Sequence, residues 1–203
     1  MAASSDGAPV ARSSDRAPRR ASTHLPGHGS MWFFVIGELW IFTAYFACYV
    51  HDRALHADQF LAGQQLLQRG VGVLNTVILL TSSLFVALCV QATRDSDIPA
   101  ARRFLTLGGG CGVLFVLVKA AEWYVKLRHG LPAQLHEFFL YYFMFTGLHL
   151  VHVGLGLLIL GLMWRELRSA RRARPDFVEA GATYWHMVDA LWIAIFALVY
   201  LMR

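Results

Sequence analysis

Seven side chains in this 203-residue sequence combine charge or proton affinity with strongly apolar surroundings: Glu38, Lys119, Glu122, His149, His152, His186 and Asp189. Six of them form pairs three residues apart, Lys119 with Glu122, His149 with His152 and His186 with Asp189, which puts each pair on one face of a helix. A charge at a bilayer centre costs about 2.5–3.5 kcal/mol, so residues of these types in apolar segments are candidates for proton relay, haem ligation or ion pairing between helices. The sequence contains no Walker loop, G-x-S-x-G, H-E-x-x-H or dinucleotide fingerprint. Glu38 stands about seven residues, or ~10 Å, into an apolar run with no basic neighbour in sequence, and is expected to be protonated or hydrogen-bonded to another helix. Lys119 and Glu122 read as an ion pair close to the outer interface, with Lys119 snorkelling towards it. His186 and Asp189 read as a His bonded to a neighbour and an Asp stabilised by a helix N-terminus.

The elements that carry these residues follow from composition. The chain is 57% apolar and 15% charged, with mean hydropathy +0.48, and its long apolar stretches cover residues 31–50, 71–90, 104–124, 138–164 and 184–202. Twenty residues at ~1.5 Å rise cross a hydrocarbon layer of ~30 Å, and only a helix satisfies every backbone polar group within one segment. The fold class is therefore an all-α integral membrane protein, a bundle of five transmembrane helices spanning 31–203. The loops left over are too short to bury a core, which excludes a soluble catalytic domain. Residues 1–30, rich in Ala, Ser, Pro, Gly and Arg, read as a disordered basic arm; an organelle transit peptide is the alternative, and a cleaved signal peptide does not fit the 20-residue apolar run that follows.

Twelve basic residues flank the helices on the arm side and five on the other, which puts the N-terminus inside and the C-terminus outside. A net charge of +5 placed beside helix ends suits anionic lipid headgroups and points away from nucleic acid. By this topology Trp32, Trp164 and Trp185 form an inner aromatic belt, and Trp123, Tyr124, Tyr49, Tyr141, Tyr142 and Tyr200 an outer one. Cys48, Cys89 and Cys111 lie within helices and read as packing residues. Haem ligation by the histidines is disfavoured by depth: His149 lies ~17 Å and His152 ~21 Å from the outer end, against ~27 Å for His186 if the last helix starts at Tyr184.

The residues also carry a resemblance. Phe34-Val-Ile-Gly-Glu-Leu-Trp-Ile-Phe42 is similar to an I-S-E-x-x-x-F helix, and Leu74-Asn-Thr-Val-Ile-Leu-Leu-Thr-Ser-Ser83 to L-N-T-x-x-L-L-x-S-S. Lys119-Ala-Ala-Glu-Trp-Tyr124 looks like Q-x-x-E-Y, Phe145-Thr-Gly-Leu-His-Leu-Val-His-Val-Gly154 like T-G-x-H-x-x-H-V-x-x-G, and Tyr184-Trp-His-Met-Val-Asp-Ala-Leu-Trp192 like Y-W-H-F-V-D-x-x-W. With these five motifs in order, the chain resembles the subunit III family of haem–copper (cytochrome c) oxidases. The nearest likeness is to its five-helix branch, which includes the nitric-oxide reductase accessory E subunit and the small subunit III of quinol oxidases. Lys119 stands where the oxidase subunits usually carry Gln, and the first two helices of the seven-helix form are missing.

The resemblance implies a non-catalytic accessory subunit of a terminal oxidase or nitric-oxide reductase, multi-pass in the bacterial inner (plasma) membrane, with a role in electron transport or denitrification. It implies the catalytic subunit and phospholipids as partners, bound phospholipid, and no metal, haem or catalytic residue. Glu38 corresponds to the family's buried carboxylate, and Glu122, His149 and His152 to its polar cluster. Trp185, Trp192, Asn75, Gly108 and Gly112 are candidates for lipid contact or helix packing, the two glycines forming a G-x-x-x-G. Two other functions fit the ionisable residues: a haem b-binding anchor of a quinol dehydrogenase, or a small proton or ion transporter that uses Glu38 and the histidines as a relay.

Overall fold

The computed structural model describes residues 29–129, 136–169 and 174–202. The expected disordered arm, apart from its last two residues, lies outside them. All the regular structure described is helical: α1 (Gly29–Leu55), α2 (Ala57–Gln65), α3 (Arg69–Arg94), α4 (Ile98–His129), α5 (His136–Ser169) and α6 (Pro175–Phe196), the last continuing as a π-helical turn over Ala197–Leu201. Four of these, α3 to α6, are long and apolar enough to cross a membrane. The first four apolar stretches lie on helices that outrun them at both ends, and the fifth on one that outruns it only at its start.

Two elements differ from the sequence reading. The segment expected as a loop after residue 50 contains α2, whose Phe60, Gly63 and Gln64 are buried against the rest of the fold. The last long helix begins at Pro175, nine residues before the expected Tyr184, and Pro at the first helical position with Asp176 in the first turn is the start signal that a search for apolar runs passes over. This moves Trp185 and His186 about 10–11 residues, or ~15–16 Å, into α6. The depth argument against haem fails on this point, and Trp185, fully buried, is not part of an inner belt. Tyr49, Tyr142 and Tyr200 are likewise buried, so three residues expected in an outer belt belong to the core.

Packing is most extensive between α3 and α4, joined as an antiparallel hairpin; α6 lies against α3 and α5, and α5 against α4. α1 docks through an aromatic face, with Phe42, Phe46 and Tyr49 meeting His152, Phe145 and Tyr141 of α5. α2 closes the same end, with the Phe60 ring against Tyr49 and Phe138. The α3–α4 turn places Ser96 at φ 62°, the left-handed region that disfavours any Cβ, and Asp97 then caps α4 through a 3.1 Å bond from the Ala100 amide to its carboxylate. Ser96→Gly is expected to raise unfolding free energy by about 1 kcal/mol. A denaturant titration in detergent in which Ser96→Gly is no more stable than the parent would contradict the assignment of strain to this residue.

Candidate functional site

The seven ionisable residues do not converge on one centre. They are distributed over three contacts between helices, each with partners on another element.

The first joins α4, α5 and α6. Lys119 donates to Glu122 Oε2 (2.9 Å), Tyr200 Oη (2.7 Å) and Tyr142 Oη (3.2 Å), so all three ammonium protons have acceptors. The rings of Tyr142, Trp192 and Tyr200 surround Nζ at 4.9, 5.1 and 5.3 Å, a cation–π enclosure. Tyr200 in turn donates to Glu122 Oε1 (3.0 Å), and Lys126 approaches the same oxygen at 3.6 Å. The expected ion pair is present, but the Lys119 side chain is 1% exposed and does not snorkel. The π-helical turn supplies the missing acceptor, bringing Val199 and Tyr200 both inward at the end of α6. Tyr142 and Tyr200 were read as belt residues in the sequence; their hydroxyls are the part of this cluster that sequence reasoning missed.

The second contact joins α1 to α5. Glu38 Oε2 lies 3.1 Å from His152 Nε2, and His152 Nδ1 lies 2.8 Å from the carbonyl oxygen of Leu148. A carbonyl can only accept, so Nδ1 carries the hydrogen, and one further proton must lie between Nε2 and the carboxyl group, on one or the other. The pair is thus neutral overall in either form, which suits a position inside a membrane. Glu38→Gln, whose amide can donate to Nε2, is expected to keep the stability of the parent to within about 0.5 kcal/mol, whereas Glu38→Ala is expected to lose about 1 kcal/mol. Equal losses for the two variants in an unfolding titration would exclude a bonded proton at this position.

The third contact joins α3 to α6 by a repeated device. The Ser82 hydroxyl donates to the Gly108 carbonyl (2.7 Å) and accepts from the Trp185 indole (3.1 Å). One and a half turns or more away, Thr76 donates to the Gly72 carbonyl (2.9 Å) and accepts from the Trp192 indole (3.0 Å). Ser83 Oγ meets His186 Nδ1 at 2.6 Å, whereas Asp189, one turn further along α6, is buried with no hydrogen-bond partner for either carboxylate oxygen among the described residues. His149 is fully buried, its ring between Phe115 (5.6 Å) and Trp192 (5.2 Å); neither of its nitrogens, nor the side-chain amide of Asn75, has a hydrogen-bond partner among the described residues. His149 and His152 sit three apart, yet one faces α4 and α6 and the other α1.

The five residues expected to contact lipid or to pack helices are all buried. Trp185, Trp192 and Asn75 are fully buried. A Cβ on Gly108 would stand 3.0 Å from Val86 and 3.3 Å from the Ser82 carbonyl oxygen, and one on Gly112 would stand 2.7 Å from the Trp185 ring. No cluster of three or more His, Cys, Asp or Glu suited to a metal ion occurs among the described residues.

Comparison with known proteins places the chain in a family. A family model described as Cytochrome c oxidase subunit III matches residues 27–203. A Synechocystis sp. protein named Cytochrome c oxidase subunit 3 is 31% identical over 196 residues, covering 89% of this chain and 83% of its own. A Buchnera aphidicola protein named Cytochrome bo(3) ubiquinol oxidase subunit 3 is 27% identical, covering 84% of this chain and 91% of its own. A longer protein of Aeropyrum pernix, named Heme-copper oxidase subunit I+III, is 30% identical over 85% of this chain and 22% of its own.

Proposed function

Since the chain belongs to the cytochrome c oxidase subunit III family, we propose that it is a cofactor-free accessory subunit that sits beside the catalytic subunit of a respiratory haem–copper enzyme in the bacterial inner membrane. There it would support assembly and hold phospholipid. The observation that carries this reading is where the ionisable side chains are engaged. Lys119, Glu122, Glu38, His152 and His186 each bond to a group on another helix, and His149 is enclosed by two aromatic rings. Groups used in this way fix helix register and are not presented to a substrate, and His152, bonded at both ring nitrogens, has neither free for an iron.

The fused subunit I+III relative supports a position beside subunit I. In this proposal α1 is a fifth crossing, its 27 residues giving ~40 Å of helix, with the N-terminus inside and the C-terminus outside. The named oxidase relatives support a dioxygen-reducing partner. Lys119, in the position where the oxidase subunits carry Gln, favours the second reading, a nitric-oxide reductase.

The experiment is a mild-detergent pull-down of the tagged chain from its native membrane, with an optical spectrum and mass spectrometry of the eluate. A haem-rich eluate with a haem–copper catalytic subunit is expected, and its identity separates dioxygen from nitric-oxide chemistry. A colourless eluate of this chain alone would refute the accessory role.

A further inference from the structure

At the end of the bundle formed by the start of α4 and the close of α5, two arginines share one indole. The Arg102 guanidinium lies 5.7 Å from the Trp164 ring centroid and that of Arg168 5.3 Å from it. Arg102 comes from the second turn of α4, whereas Trp164 and Arg168 are one turn apart on α5, so two helices contribute. The floor beneath is packed: Ala101 and Leu105 on α4, and Met163 and Leu167 on α5, are buried. Neither arginine has a carboxylate partner within 4 Å among the described residues, including the neighbouring Glu166, whereas Arg94 on the same side pairs with Glu179 at 2.8 Å.

Two like charges held around one ring repel unless an anion lies between or beside them, and the cation–π attraction of each at an exposed site is only about 0.5–1 kcal/mol. Guanidinium matches phosphate in a bidentate fork, and an interfacial indole ordinarily lies at headgroup depth. Further along the same two helices, Leu107 on α4 and Leu158 and Leu162 on α5 are exposed and can accept acyl chains.

We propose that Arg102, Arg168 and Trp164 form a binding site for the phosphodiester of an anionic phospholipid in the inner leaflet. The site rests on the inside placement of this end given above. It lies apart from all the residues that sequence reading offered for lipid contact, which are internal.

The test uses the full chain in vesicles of phosphatidylglycerol and phosphatidylcholine in equal amounts, with lipid retention read by native mass spectrometry. The parent is expected to retain phosphatidylglycerol in preference to phosphatidylcholine, and Arg102→Gln with Arg168→Gln to lose that preference about tenfold, or about 1.4 kcal/mol. Arg103→Gln, which leaves the indole pair intact, is expected to keep it. Excess inorganic phosphate separates the sources: displacement of the lipid by phosphate alone would make this a free-anion site and overturn the lipid assignment. Unchanged preference in the double Gln variant overturns the site altogether. Arg102→Lys with Arg168→Lys guards against misfolding, because charge is kept and the planar fork is lost; full retention there would overturn recognition by guanidinium. Pull-down of the haem-containing partner with the double Gln variant is expected to be unchanged, so loss of lipid selectivity and failure of the accessory reading are distinguishable results.

Discussion

Lys119→Met is expected to lower the unfolding free energy of the detergent-solubilised chain by about 3–5 kcal/mol, the size of effect found when one partner of a buried ion pair is removed. The cause is the carboxylate left behind. Glu122 is 5% exposed at its side chain and loses its 2.9 Å partner, while Tyr142 and Tyr200 lose the group that holds their hydroxyls in place. Lys126, at 3.6 Å, offers partial compensation through its longer ion pair. If the loss comes from an unpaired charge, Lys119→Met combined with Glu122→Leu should recover most of it, since replacing a buried pair by apolar groups is often neutral. A double variant no more stable than Lys119→Met would instead place the energy in the aromatic enclosure of the ammonium.

The second large effect belongs to Trp185. Its ring is wedged between two glycines on different helices: a Cβ on Gly112 of α4 would stand 2.7 Å from Cη2, and one on Gly156 of α5 would stand 2.7 Å from Cε3. Three helices thus approach through one indole, whose N–H is held by Ser82 on a fourth. Trp185→Ala is expected to cost about 3–5 kcal/mol through the cavity it leaves, and Gly112→Ala about 1–3 kcal/mol through overpacking. The two should be coupled, because a smaller side chain at residue 185 gives the new methyl room. Thermal unfolding of the four members of the cycle checks this, and strictly additive losses would show that the glycine is not held small by the tryptophan.

Much of this architecture is legible in the chain because the bilayer reduces folding to a question of apolar length. The positions of α3, α4 and α5 follow from hydropathy to within a few residues. The reading breaks down where a helix carries polar residues beyond the apolar core, as at Pro175–Thr183, and where a short amphipathic segment such as α2 is buried by only one face. The polar pairs show the same division. Spacing identifies Lys119 with Glu122, because both lie on one helix. Partners across helices, Glu38 with His152 or Ser83 with His186, depend on helix rotation, which no local pattern specifies. Tyrosine is ambiguous for a related reason: a ring near a helix end suits a headgroup or a buried acceptor equally, and the π-turn that directs Tyr200 inward leaves no mark in composition.

That turn has a consequence in time. The carbonyl oxygen of Leu198 accepts from Tyr49 Oη and from Gln64 Nε2, each at 3.3 Å, across 149 and 134 residues of sequence. Tyr49 and Gln64 belong to the first two helices made, and the atom they bind belongs to the last. At roughly 5–20 residues per second of synthesis, the early helices wait about 7–30 seconds before the oxygen that ties them down exists. That end of the bundle therefore closes only after the last described helix has been made, and a nascent chain stalled before α6 would leave α1 and α2 without this mooring.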